Sequence, residues 1–310
     1  MRTICLPALA LFALTAATVT AQTSAPVEPP AQIAVSPSRF EVEIGPRPTT
    51  ESLRLFNFGD RTIEVQVSAA SWDLDENNRV RHLEPDEQSL ENWLILNPLR
   101  FTVEPGKSQA VRFSIRPRVE PDPGEHRAMV YFTEVLPEDT EQSAMRIAFR
   151  LGVAVYAFAS DTVRSGSLDR VTIESGSRTT DIGFHITSTG NAHIRLIGRM
   201  GVWHADAYRS PGSMPLLDAR GAPPEELPEG LVRLQALPTT PVLAGSTRIS
   251  GGAVPTPDPG EYVLEVAAEL VGTTIAVAER FSVPEPPAPR PTPADATDGA
   301  DADAGSDAGR

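Results

Sequence analysis

Five histidines (His82, His126, His185, His193 and His204) and 41 acidic residues are the side chains from which this chain of 310 residues could build catalysis or a metal site. The histidines are scattered, with no HExxH and no close pair at helical spacing, a distribution that suits polar strand positions better than metal ligands. No GxSxG elbow, no GxxxxGK[ST] phosphate loop and no GxGxxG opening a helix is present. The carboxylates are plentiful, but no spacing singles out an acid/base pair. The sequence therefore points away from an enzyme, and it calls for no cofactor or metal.

Two features deserve weighing as binding sites. In "DLDENNRVRHLE", Asp73, Asp75, Asn77 and Glu84 fall at positions 1, 3, 5 and 12 of a calcium loop. Position 6, however, is Asn78 where the sharp turn wants glycine, Arg79 and Arg81 bring positive charge, and both flanks read as strands. A hairpin turn is the expected structure. The second feature is Arg39 in "VSPSRFEVEIG", beside Phe40 at the start of a strand. An arginine there is either a solvated edge residue in a weak surface ion pair or, if it faces a cleft, a planar fork for a carboxylate.

The elements that would hold these residues are short alternating segments. Between Ile33 and Ala159 the candidate strands are "AVSPSRFEVEI", "ESLRLFNF", "TIEVQVSAASWDL", "RVRHL", "RFTVEPG", "QAVRFSIRP" and "HRAMVYFTEVL". Turn residues separate them at Gly59-Asp60, Glu76-Asn77-Asn78, Glu104 to Lys107 and Pro121 to Gly124. Only "SLENWLIL" looks helical, for about two turns. In "MRIAFRLGVAVYAF", Met145, Ile147, Phe149, Leu151, Val153 and Val155 share one parity, which marks a strand with one strongly apolar face. Residues 167 to 283 repeat the style, with a long Gly/Pro-rich loop from Ser210 to Pro228. The expected fold class is all-β, with two immunoglobulin-like β-sandwich domains.

The ends read differently. Residues 1–21 have the charge, apolar run and small-residue finish of a secretory signal peptide, which implies export to the periplasm. Residues 22–32 read as a linker, 33–160 and 161–283 as the two sandwiches, and 284–310 as a disordered Pro/Ala/Asp-rich tail with too little apolar area to order itself. No transmembrane segment is expected in the mature chain, and the only cysteine, Cys5, lies within the signal. A formal net charge of −14 excludes a nucleic-acid partner that would need clustered cations.

Taken together, "VSPSRFEVEI", "FTVEPGKSQAVRFSIRP", "GEHRAMVYFTEVLP" and "RIAFRLGVAVYAF" resemble, in order and spacing, the N-terminal domain of the PapD-like periplasmic pilus-assembly chaperones, over about residues 33 to 159. The resemblance implies a chaperone that stabilises a pilin or other secreted β-rich subunit by lending it a strand, a form of β-augmentation, and that works with an outer-membrane usher. It places the lent residues at Met145, Ile147, Phe149 and Leu151, and the subunit's carboxylate at Arg39. The lysine that completes the family's carboxylate clamp falls at Ala154, and Lys107 is the only lysine in the chain. Arg150 stands as a substitute or as a solvated strand residue. The family's arginine near the end of this strand is replaced by the stretch Tyr156, Ala157 and Phe158. The competing reading is an immunoglobulin-like envelope protein, structural or adhesive, that keeps this strand's apolar face in its own core.

Overall fold

The computed structural model describes residues 32–136 and 148–285. Met145 and Ile147, residues 1–31 and the tail from residue 286 lie outside the described residues. Among those described, no helix is long and apolar enough to cross a membrane.

The first half of the chain runs through β1 (Ile33–Ser36), β2 (Arg39–Glu43), β3 (Thr49–Asn57), β4 (Ile63–Ala70), β5 (Trp72–Leu74), β6 (Val80–His82), the single turn α1 (Leu90–Trp93), β7 (Leu94–Asn97), β8 (Arg100–Val103), β9 (Ser108–Ile115), β10 (Glu125–Glu134) and β11 (Arg150–Phe158). One sheet has the order β1-β3-β9-β7 and faces a second with the order β2-β11-β10-β4-β8. Alternation decides what goes between them. Leu53, Leu55, Val111 and Phe113 point in from the first sheet, and Val65, Val130, Phe132, Val153 and Val155 from the second, with Leu90 and Trp93 joining the same cluster. Each such side chain contributes about 1.5–3 kcal/mol when fully buried.

Three segments depart from the expected elements. "AVSPSRFEVEI" is two strands, because Pro37 cannot donate to a ladder and the chain crosses there from the β1 sheet to the β2 sheet. "TIEVQVSAASWDL" breaks at Ser71, whose N–H is taken by Glu91 Oε2 at 2.6 Å. "SLENWLIL" is helical only over Leu90–Trp93, and its second half is β7, paired antiparallel with β9. A helix of one turn has little cooperativity of its own, so the ladder to β9 wins.

The second half contains β12 (Gly166–Ser175), β13 (Thr179–Ser188), β14 (Leu196–His204), β15 (Leu231–Ala236), β16 (Thr247–Pro255), β17 (Gly260–Leu270) and β18 (Thr273–Val283). Sheets β12-β13-β16 and β15-β14-β17-β18 enclose a second core around Ile182, Phe184, Val202, Leu264 and Val266. The chain is thus all-β, built as two sandwiches. The expected long loop lies between β14 and β15. It is held to β17 by the buried Glu265, which accepts from Gly212 N at 2.5 Å and from Trp203 Nε1 at 2.8 Å.

The two sandwiches meet over a third apolar cluster. Strands β10 and β11 are buried on both faces near their paired ends, and the outer residues Met129, Tyr156 and Phe158 pack with Trp72, Ala192 and Leu243. The hairpin β5–β6 is the stretch with calcium-loop spacing. Its Asp75 Oδ1 accepts from the N–H groups of Asn77 and Arg79 at 2.9 and 2.8 Å, and Asp73 pairs with Arg81 at 2.9 Å, so the turn and its arginines occupy the carboxylates. The hairpin is also a strut between the sandwiches. Arg248 on β16 donates to the carbonyls of Leu74 (2.7 Å) and Asp75 (2.5 Å), and Asn78, at φ 59°, donates to Ile249 O at 2.8 Å.

Candidate functional site: an open sheet edge beside an arginine cleft

Strand β11 has neighbours on both sides for only part of its length. Antiparallel β10 pairs with it from Arg150 to Phe158, whereas parallel β2 pairs only from Ala154, opposite Arg39, to Phe158, opposite Glu43. Among the described residues no strand covers the outer edge of Arg150–Val153. The register fixes which backbone groups that edge presents. Phe149 O accepts from Glu134 N on the β10 side, and Phe158 O accepts from Ile44 N on the β2 side. Odd-numbered residues therefore bond to β10, and the N–H and C=O of Arg150 and Gly152 point to the open edge.

Side chains alternate in the same way. Val153, Val155 and Ala157 are buried in the first core, and Phe149 and Leu151 pack against its end while remaining partly exposed. Apolar burial thus falls off along the strand toward its N-terminal end. On the opposite face Arg150 lies over the Tyr131 ring, 3.8 Å from its centroid. At Gly152 a Cβ would stand 2.9 Å from Met129 Sδ and 3.2 Å from Tyr131 Cε1, so a larger residue there would have to displace the Met129 side chain.

Arg39 opens β2 at the point where the uncovered edge ends. Its side chain is half-exposed, and its Nε lies 3.3 Å from Glu41 Oε1. Both residues line a cleft of about 270 Å³ between the sandwiches, together with Arg164, His193, Arg195 and Glu269. Arg195 is the fixed member. It is nearly buried, donates from Nε to Thr239 O at 3.2 Å and from Nη1 to Glu41 Oε1 at 2.9 Å, and lies over the Tyr156 ring. Arg164 stacks on Phe158, 4.4 Å from the ring centroid. Arg150 is not among the residues lining this cleft.

Behind the cleft, His193 joins the two halves. Its backbone N–H donates to Glu125 Oε2 at 2.8 Å, its Nδ1 bonds to the same oxygen, and its Nε2 meets Arg195 Nη1. Burial raises the Glu125 carboxyl, but the hydrogen bonds and charge of His193, helped by Arg127, outweigh it and hold the group below its ordinary value of 4.5. Burial also pushes the Tyr156 hydroxyl up to about 12 against the opposing pull of Arg195. Among the described residues no three His, Cys, Asp or Glu side chains converge as a metal site requires.

No family profile matches the chain, and no curated protein sequence matches it significantly. Several solved structures share part of its arrangement. They include the E. coli chaperone DraB (14% identity, covering 82% of this chain and 96% of that one, TM-score 0.38) and the Pseudomonas aeruginosa CupB2 chaperone (14%, 81% and 100%, 0.37). A third is the CsuC–CsuE chaperone–tip subunit complex of Acinetobacter baumannii Csu pili (13%, 80% and 98%, 0.39). Each of these structures contains a chaperone. Likeness at this level assigns no family, and what the cleft can do follows from its own residues.

Of the residues singled out in the sequence, Arg39 is in the cleft, Leu151 lies in β11 and Phe149 immediately precedes that strand. Sequence reasoning did not find Glu41, Glu125, Arg164, His193 or Arg195 as members of one site. The local signal was present in "NAHIRL", where Ala192, Ile194 and Leu196 are buried and His193 and Arg195 take the other parity. Nothing local states which surface that second parity meets.

Proposed function

We propose that this protein is a periplasmic chaperone for a pilin or other secreted β-rich subunit, which it holds by adding the subunit's last strand to the open edge of β11. The observation that carries this reading is the uncovered edge at Arg150–Val153, which ends at Arg39 and the arginine cleft. A strand added there is collinear with β2, and β2 runs parallel to β11. A subunit strand parallel to β11 would therefore end with its terminal carboxylate at Arg39. The sequence resemblance to PapD-like chaperones over residues 33 to 159 supports the same reading. The register Ala154↔Arg39 puts the position where that resemblance wants a lysine directly beside Arg39, and Arg195 and Arg164 supply positive charge from the other wall of the cleft.

Phe149 and Leu151 would line the added strand, with Met145 and Ile147 extending the same parity. The energetics divide between edge and cleft. Each backbone hydrogen bond is worth about 0.5–1.5 kcal/mol net, and a bond to a charged group about 1.5–3 kcal/mol. The second reading, an envelope structural or adhesive protein, draws on the packing of Phe149 and Leu151 against their own core.

The test is co-expression with a secreted pilin-type subunit that lacks one strand of its sandwich. The chaperone reading expects a recoverable complex, weakened about 10- to 100-fold by Arg39→Ala and abolished by Phe149→Asp. A complex equally strong in both variants would refute the mechanism.

A further inference from the structure

Glu41 already holds the two arginines of the cleft with its own carboxylate. Its Oε1 accepts from Arg195 Nη1 at 2.9 Å, lies 3.3 Å from Arg39 Nε and 3.7 Å from His193 Nε2. One oxygen therefore sits between the half-exposed arginine of the first sandwich and the nearly buried arginine of the second. Arg195 cannot swing away freely, since its Nε is tied to Thr239 O and its guanidinium lies over Tyr156. Glu41 has more freedom, with a side chain about a third exposed. The charges lining the cleft give the same picture: Arg39, Arg164 and Arg195 face Glu41 and Glu269, so Glu41 supplies half of the negative charge.

We infer that Glu41 is an internal competitor for the cleft, a resident carboxylate that occupies the Arg39–Arg195 pair until a peptide's terminal carboxylate displaces it. This rests on the carboxylate reading of the cleft given above. In the empty protein Glu41 neutralises two arginines that would otherwise attract any small anion. When a strand docks on β11, its terminal carboxylate gains the arginines and Glu41 turns to solvent. The device makes binding depend on the strand and the carboxylate arriving together, since a lone carboxylate must displace Glu41 without help from the sheet edge.

The experiment measures binding to the full chain of a six-residue peptide of alternating threonine and valine with a free C-terminal carboxylate, and of the same peptide as its C-terminal amide. Wild type is expected to prefer the acid, and Arg39→Ala to lose that preference. Glu41→Gln is expected to bind the acid about tenfold more tightly, the scale of one like charge removed from a partly solvated site, with the amide unchanged. Glu41→Asp, which keeps the charge but withdraws it by one methylene, is expected to give a smaller gain. If wild type prefers the acid and Glu41→Gln does not improve on it, the competitor role is overturned while the cleft reading stands. If the amide gains as much as the acid, or Asp and Gln gain equally, the change reflects a loosened junction and the inference is again overturned. If neither wild type nor Glu41→Gln distinguishes acid from amide, the carboxylate reading falls and the inference with it.

Discussion

Replacing Glu125 with glutamine removes a charge from the junction while keeping its shape, and the consequence has a definite pH signature. The Glu125 side chain is fully buried and meets His193 twice, at the backbone N–H and at Nδ1, with Arg127 Nη1 3.5 Å away. Hydrogen bonds to a charged group contribute about 1.5–3 kcal/mol, so Glu125→Gln is expected to destabilise the protein by about that much at pH 7. The carboxyl is held below its ordinary value in the folded protein. Its contribution is therefore fully present above pH 4.5, the ordinary value, and is lost as pH falls through the lower folded value. Urea unfolding of both proteins between pH 7 and pH 3 measures this directly. Wild type should lose stability more steeply than Glu125→Gln on the acid side, and the gap between them should close. Parallel curves, with the gap unchanged at the lowest pH, would refute the claim that an ionised Glu125 ties the sandwiches together.

Two further outcomes follow from the geometry. Asn57→Ala should destabilise by about 1–3 kcal/mol in the same assay, because buried Asn57 donates to Arg61 O and Val103 O at 2.8 and 3.0 Å and accepts from Gly59 N, so its loss removes one hydrogen bond from each of three backbone groups. Arg248→Ala should leave both cores intact but release the β5–β6 hairpin from β16, read as faster amide exchange over residues 75–79 with little change in β13 or β17; unchanged exchange would show that Asn78 and the apolar cluster hold the hairpin alone.

The all-β architecture was legible because alternation is a local property. The parity of Val153 and Val155, read from the sequence, is the parity that faces the first core. Arg39 was legible only as a choice between a solvated edge and a cleft. Its place is both half-exposed, in an ion pair with Glu41, and on the wall of a cleft that the second sandwich completes. Arg195 and His193 lie more than 150 positions along the chain from Glu41, and no periodicity connects them. The failures were also tertiary. "SLENWLIL" has a pattern that serves a short helix or a strand, and pairing of Leu94–Asn97 with β9 settles it. In "AVSPSRFEVEI" the apolar parity shifts from Val35 and Pro37 to Phe40, Val42 and Ile44, and the two-sheet arrangement shows why: its halves belong to different layers.

The central claim is that the edge of β11 at Arg150–Val153 is lent to a partner, and hydrogen exchange tests it at single residues. In the free protein the amides of Leu151 and Val153, which face β10, should be protected, while those of Arg150 and Gly152 should exchange quickly. With a pilin-type subunit bound, Arg150 and Gly152 should slow to match their neighbours. Fast exchange at Arg150 and Gly152 within a stable complex, or protection of both in the free protein, would contradict the account.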